Sequence, residues 1–243
     1  MRFDLEAMKP KRLLSDAEAA VRDAERNKRD ANESRLERLR SSGISKHLGR
    51  DANGVSDVTR IVRDELEPRE ALTLIRRFAA PERDTPQRWL LLAGSTGIGK
   101  SVAAGWLLAR DGGRYATVHE LVELHATLSR GLAPTTLDEA NARLRRLVES
   151  RVLVLDELGQ ELQAANLRAA LHWLVEARAA MAQSSRYTLV MSNLDANTLR
   201  ERFRSGVYDP RTESRLRPLL WRQRDGGGIW ELSDRRDGRG API

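Results

Sequence analysis

Five apolar residues, Trp89-Leu90-Leu91-Leu92-Ala93, run directly into Gly94-Ser95-Thr96-Gly97-Ile98-Gly99-Lys100-Ser101. An apolar run of this length reads as a buried strand, and the glycine-rich turn after it opens a helix near Gly99. The glycines let the backbone fold so tightly that successive N–H groups point at one spot. The helix adds the positive end of its dipole to the same spot. A concave ring of donors in this setting fits a polyphosphate. Lys100 is placed to reach the β- and γ-phosphates, and the Ser101 hydroxyl to ligate Mg²⁺. The expected ligand is a nucleoside triphosphate.

From that point strands and helices alternate. Strand 88–93 leads through the glycine turn into helix 100–110, and Asp111-Gly112-Gly113 turns the chain into strand 114–118. Helix 119–129, a loop at Pro134 and a charged helix over 136–149 follow. Val152-Leu153-Val154-Leu155 is apolar throughout and reads as a strand buried on both faces. A long helix over about 163–182 precedes a further buried strand, Tyr187 to Met191. The pattern predicts an α/β fold with three layers and a parallel sheet, a P-loop nucleotide-binding core.

Ahead of the core, residues 1 to about 40 read as a charged helix. Leu14, Ala17, Val21, Ala24 and Ala31 recur along it, but the seam passes through Lys28 and Arg35. So thin a stripe makes either a solvated helix or an arm that folds against a partner. Ser41-Ser42-Gly43 ends it. Asp57 is placed to cap a helix through about Leu66, and Pro68 to start another carrying Leu72, Ile75 and Phe78. The expected organisation is a helical N-terminal region over 1–80, a core over 81–232 entered through a linker with Pro81 and Pro86, and a disordered basic tail over 233–243.

The strand ending at Leu155 runs into Asp156-Glu157. Asp156 fits the acid that holds Mg²⁺ at the end of such a strand, and Glu157 a carboxylate that polarises the attacking water. The strand ending at Met191 is followed by Ser192-Asn193, where an amide can touch the γ-phosphate. Asp209-Pro210-Arg211-Thr212-Glu213-Ser214-Arg215-Leu216 comes next. In this order the motifs resemble those of AAA+ ATPases, and within them the group of bacterial replicative-helicase loaders and insertion-sequence transposition helpers. The resemblance spans about Trp89 to Leu219 and rests on Gly94 to Ser101, Val152 to Gly159, Ser192-Asn193-Leu194 and Ser214-Arg215-Leu216.

The resemblance implies an AAA+ core that binds and hydrolyses ATP with Mg²⁺, and Arg215 as an arginine finger completing a neighbouring subunit's site in a homo-oligomer. Arg211 is the alternative finger. It further implies single-stranded DNA as a ligand and a replicative helicase or a transposase gripped by the N-terminal region. Two departures are visible. The acid pair is Asp156-Glu157 where the group often has two aspartates. The chain after Leu220 is also too short for a full helical lid, with only Arg222 and Arg224 available as lid arginines.

Charge and composition set further bounds. A net charge of +7 suits a polyanionic partner. The cations are nearly all arginine, which fits phosphate and base recognition and equally fits a GC-rich coding sequence. The absence of cysteine excludes disulfides and thiolate metal sites. His47, His119, His125 and His172 lack metal-ligand spacing and read as surface or packing residues. No apolar run is of bilayer length and the start lacks a signal-peptide core, so the expectation is a cytoplasmic protein without a membrane segment. Trp89, Trp106 and Trp173 read as core. Two other classes stay open: a P-loop kinase acting on a small molecule, which would not need Ser214-Arg215-Leu216, and a nucleotide-gated binding module with negligible hydrolysis.

Overall fold

The computed structural model describes residues 16–50, 54–67, 69–80, 87–130, 133–159, 164–181, 186–216 and 229–232. The helix start at Pro68, the prolines of the linker, Arg222, Arg224 and the 233–243 tail lie outside the described residues.

Among the described residues five strands form one parallel sheet: β1 (Gln87–Ala93), β2 (Arg114–Thr117), β3 (Val152–Asp156), β4 (Arg186–Met191) and β5 (Ile229–Glu231), in the order β2-β3-β4-β1-β5. Alternate residues of a strand point to opposite faces, and here both faces are apolar. Leu90, Leu92, Val152, Val154, Leu189 and Met191 face one cluster, and Trp89, Leu91, Leu153, Leu155 and Val190 face the other. This is why the strands read as continuous apolar runs rather than as alternations.

The first cluster is closed by α2 (Asp57–Arg63), α3 (Glu70–Phe78), α4 (Lys100–Asp111) and the end of α1 (Asp16–Ser42). The second is closed by α5 (Val118–Thr127), α6 (Pro134–Glu149), α7 (Ala164–Ala179), α8 (Ala196–Arg204) and α9 (Pro210–Leu216). The result is the three-layer P-loop sandwich with a helical N-terminal part. No helix among the described residues is long and apolar enough to cross a membrane.

The N-terminal helices are joined to the sheet layer by packing. Leu39, Ile44, Ile61, Ile75 and Phe78 share one cluster with Leu90, Ala104 and Leu108. Arg35 Nη1 donates to Val62 O at 3.0 Å and Arg38 Nη1 to Ala109 O at 3.3 Å, fastening the end of α1 to α2 and α4. The first half of α1 is solvated, with Val21 59% exposed. Apolar side chains recur there too thinly to bury a face.

Local signals explain most boundaries. Gly43, at φ 90°, takes up the left-handed turn after α1 and leads into a 3₁₀ turn, Ile44–His47. Thr117 and Glu120 form a reciprocal capping box at the start of α5. Three expectations shift. Ser56 rather than Asp57 precedes α2, and the Asp57 carboxylate instead accepts from Gly49 N–H at 3.1 Å. The helix stops at Arg63, because Asp64 turns left-handed at φ 58°. Trp89 is core, but Trp106 and Trp173 sit at its rim, with the guanidinium groups of Arg76 and Arg110 5.2 and 4.9 Å from the Trp106 ring centroid.

Candidate nucleotide site

A parallel sheet places the C-terminal tips of all its strands at one end. Here β1 ends in the glycine turn, β3 in Asp156-Glu157 and β4 in Ser192-Asn193. Because β4 lies between β3 and β1, Asn193 emerges between the turn and the acids. Ligands of open α/β sheets bind at such strand ends.

The turn needs its glycines. Gly94 has φ 141°, and a Cβ there would stand 2.5 Å from Ile98 Cδ1 and 3.0 Å from Leu232 O. Gly99, at φ 96°, precedes the first residue of α4 in a conformation that costs other residues dearly. Ser95, Thr96 and Gly97 are exposed, while Ile98 and Ser101 are half-buried.

Lys100 is 5% exposed, and its ammonium group donates to Gly94 O at 2.7 Å, Ser95 O at 2.8 Å and Asn193 Oδ1 at 2.9 Å. All three donors are thus directed by the turn and by the β4 tip. Burial lowers the lysine pKa, and the nearby Asp156 charge opposes that shift.

Asp156 is 8% exposed. Its Oδ2 accepts from the Tyr115 hydroxyl at 3.0 Å and its Oδ1 from the Glu157 backbone N–H at 2.8 Å. Burial first, then the Asp156 charge and the hydrogen bond to it, push the Tyr115 phenol above its ordinary pKa, so it stays a donor. Glu157 is exposed and left-handed at φ 65°. A non-glycine residue in that region costs about 1–3 kcal/mol and needs its surroundings to hold it. Leu158 N–H supplies the hold by donating to Met191 O at 3.0 Å. The Ser192 hydroxyl donates to Leu158 O at 2.6 Å and accepts from Leu194 N–H at 3.1 Å. Gly94 N–H closes the set on Leu194 O at 3.1 Å. The tips of β3, β4 and β1 are laced together beneath the site.

Around these groups lies a cleft of about 700 Å³. One wall holds Gly99, Lys100, Ser101, Asp156, Glu157 and Asn193. The other comes from the N-terminal helices and their connections: His47, Arg60, Leu66, Arg69 and Leu72. This wall and Tyr115 were not legible as site residues. The only available signal for Tyr115 was a phenol inside a short buried strand. The donor set fits a triphosphate with a hard divalent cation: backbone N–H groups in a tight turn, one ammonium, one hydroxyl and one carboxylate anchored at both oxygens.

No family model and no curated protein matches the chain. Solved structures do. The crystal structure of the DnaC helicase loader is 21% identical over 70% of this chain and 95% of that chain, with a TM-score of 0.51. The crystal structure of DnaI is 22% identical over 72% of this chain and 94% of that one, with a TM-score of 0.50. The chain shares the fold of these two proteins, a three-layer α/β sandwich with a phosphate-binding-type turn after β1.

Within that fold the structure brings together Gly94 to Ser101, Asp156, Glu157 and Asn193, and leaves both candidate fingers outside the cleft. Arg215, on α9, is 65% exposed at its side chain and pairs with Glu176 on α7 at 2.8 Å. Arg211 is exposed on the first turn of the same helix. Neither lines the cleft of its own chain.

Proposed function

We propose that this chain is an ATP-binding and ATP-hydrolysing AAA+ protein of helicase-loader type. In this reading it assembles as a homo-oligomer, holds single-stranded DNA and acts on a nucleoprotein machine gripped by its N-terminal helices. The 2.9 Å bond between Lys100 and Asn193 carries the reading, since it ties the tip of β4 to the turn after β1 in the cleft that Asp156 of β3 also lines. Backbone N–H groups of Ser95 to Gly99 would hold the phosphates together with the Lys100 ammonium, which would exchange bonds to its present protein acceptors for phosphate oxygens, and Ser101 and Asp156 would hold the Mg²⁺. Bound Mg²⁺ neutralises the charge that develops on the phosphates. Glu157, exposed at the rim, would take a proton from water, and Asn193 would orient the γ-phosphate. Arg215 would be supplied in trans, consistent with its place outside its own cleft. Because Asn193 and a neighbour's Arg215 address only a triphosphate, turnover would release the assembled state.

The likeness to the DnaC helicase loader favours a replicative helicase as partner over a transposase. The test is the ATPase rate per subunit against protein concentration, with and without single-stranded DNA. The rate is expected to rise with concentration and again with DNA, and Lys100→Ala to lose tight ATP·Mg²⁺ binding. A concentration-independent rate would remove the trans site. Phosphate transfer to a metabolite instead of water would make the chain a kinase.

A further inference from the structure

Tyr115 has no part in the roles assigned above, yet it is the side chain that fixes Asp156. The β2–β3 register pairs Tyr115 with Val154 and Thr117 with Asp156, so Tyr115 and Asp156 share one face of the sheet, two residues apart. A phenol is long enough to span that offset, and its hydroxyl reaches Asp156 Oδ2 at 3.0 Å. With Glu157 N–H on the other oxygen, the carboxylate cannot rotate without breaking a hydrogen bond. Each oxygen keeps a further acceptor direction. The ring is held in turn by His47 of the 3₁₀ turn, the two ring centroids lying 4.6 Å apart at 39°. Packing alone would be served as well by phenylalanine. A hydroxyl in this apolar cluster is costly unless it bonds, and the acceptor it finds is the acid at the strand tip.

We propose that Tyr115 is a positioning residue that aims the Asp156 carboxylate at the metal ion, with His47 holding its ring. The N-terminal segment thereby helps to shape the metal site. The proposal rests on the ATP·Mg²⁺ reading. Partners that orient a metal-binding group commonly govern metal affinity by about 10- to 100-fold.

The test compares wild type, Tyr115→Phe and His47→Ala as full-length chains. Affinity for a fluorescent non-hydrolysable ATP analogue is measured in EDTA and in saturating Mg²⁺, together with the Mg²⁺ concentration giving half the gain. Tyr115→Phe is expected to match wild type in EDTA within about two-fold while the Mg²⁺-dependent gain falls about 10-fold. His47→Ala should move in the same direction by less, and it stands in should Tyr115→Phe fold poorly. An undiminished Mg²⁺ gain in both variants overturns the proposal. So does an equal loss in EDTA and in Mg²⁺, which would mean that the ring only shapes the cleft. A wild-type chain with no Mg²⁺ gain would overturn the ATP·Mg²⁺ reading itself, and this assignment with it.

Discussion

Two arginines meet helix α7, and the protein treats them in opposite ways. Arg178, within the helix, is 1% exposed. Its guanidinium donates to Thr188 Oγ1 at 2.9 Å, to the carbonyls of Leu147 and Val148 at 3.0 and 2.9 Å, to Ser150 O at 3.0 Å and to Tyr187 O at 3.0 Å. It thus satisfies carbonyls left over at the end of α6 and ties them to the entry of β4, where a cation also suits the helix dipole. Burial, with a smaller contribution from Arg186, lowers its pKa to about 9. Arg215 approaches the same helix from α9 and makes an exposed ion pair with Glu176. Such pairs contribute about 0–1 kcal/mol. An arginine that serves the fold is consumed by its own chain, whereas the Arg215 side chain stays 65% exposed.

The comparison can be broken most directly at Arg215. As a finger supplied in trans, Arg215→Ala should leave nucleotide affinity and melting temperature close to wild type while the rate falls by about 10³–10⁵. Mixing it with Lys100→Ala should restore part of the activity, because some interfaces then join an intact turn to an intact arginine. A lowered melting temperature without rescue would place Arg215 beside Arg178 as a structural residue, and Arg211 would be tested next.

Glu157→Gln sharpens the contrast by separating what one chain supplies from what its neighbour does. Binding should persist while turnover falls by about 10²–10⁴, the usual contribution of a positioned proton acceptor. If, as proposed, the acid acts in its own chain and the arginine across an interface, Glu157→Gln and Arg215→Ala should complement each other when mixed. Absence of complementation between two folded, associating variants would put both groups in the same chain.

Arg178→Ala tests the other arm of the comparison. Removing one guanidinium leaves several buried acceptors without a donor, each costing about 1–3 kcal/mol, so a loss of at least about 3 kcal/mol is expected. For a chain of this size that is roughly 10 °C in melting temperature. Nucleotide affinity of the folded fraction, measured well below the transition, should not change. The smallest effect concerns DNA. Single-strand affinity should fall with salt by about 0.7 logarithmic units per phosphate contact for each tenfold rise. The buried charge of Arg178 should leave that slope untouched when it is replaced. Salt-independent binding would refute a basic binding surface.

Much of the candidate nucleotide site was readable from the chain because its parts are local. The turn after Ala93, the acids after Leu155 and the amide after Met191 each follow an apolar run of strand length, and β1, β3 and β4 lie within a residue or two of where those runs place them. Tyr115 and Arg178 were not readable in the same way. A tyrosine in a short strand and an arginine near the end of a largely apolar helix have many possible partners. Which ones they meet depends on register and on the approach of elements far apart in the chain.

The sequence by itself determined which groups are available, which strands are buried on both faces and where each strand ends, because strand length, apolar runs and glycine turns are set by neighbouring residues. Tertiary structure decided the rest. The order β2-β3-β4-β1-β5 brought Asn193 onto Lys100, and the β2–β3 register put the Tyr115 hydroxyl on Asp156. Packing carried the helices from Leu39 to Phe78 into the wall of the cleft and left Arg215 outside it. These outcomes rest on burial shared between distant segments. No local window of the sequence contains both partners of such a contact.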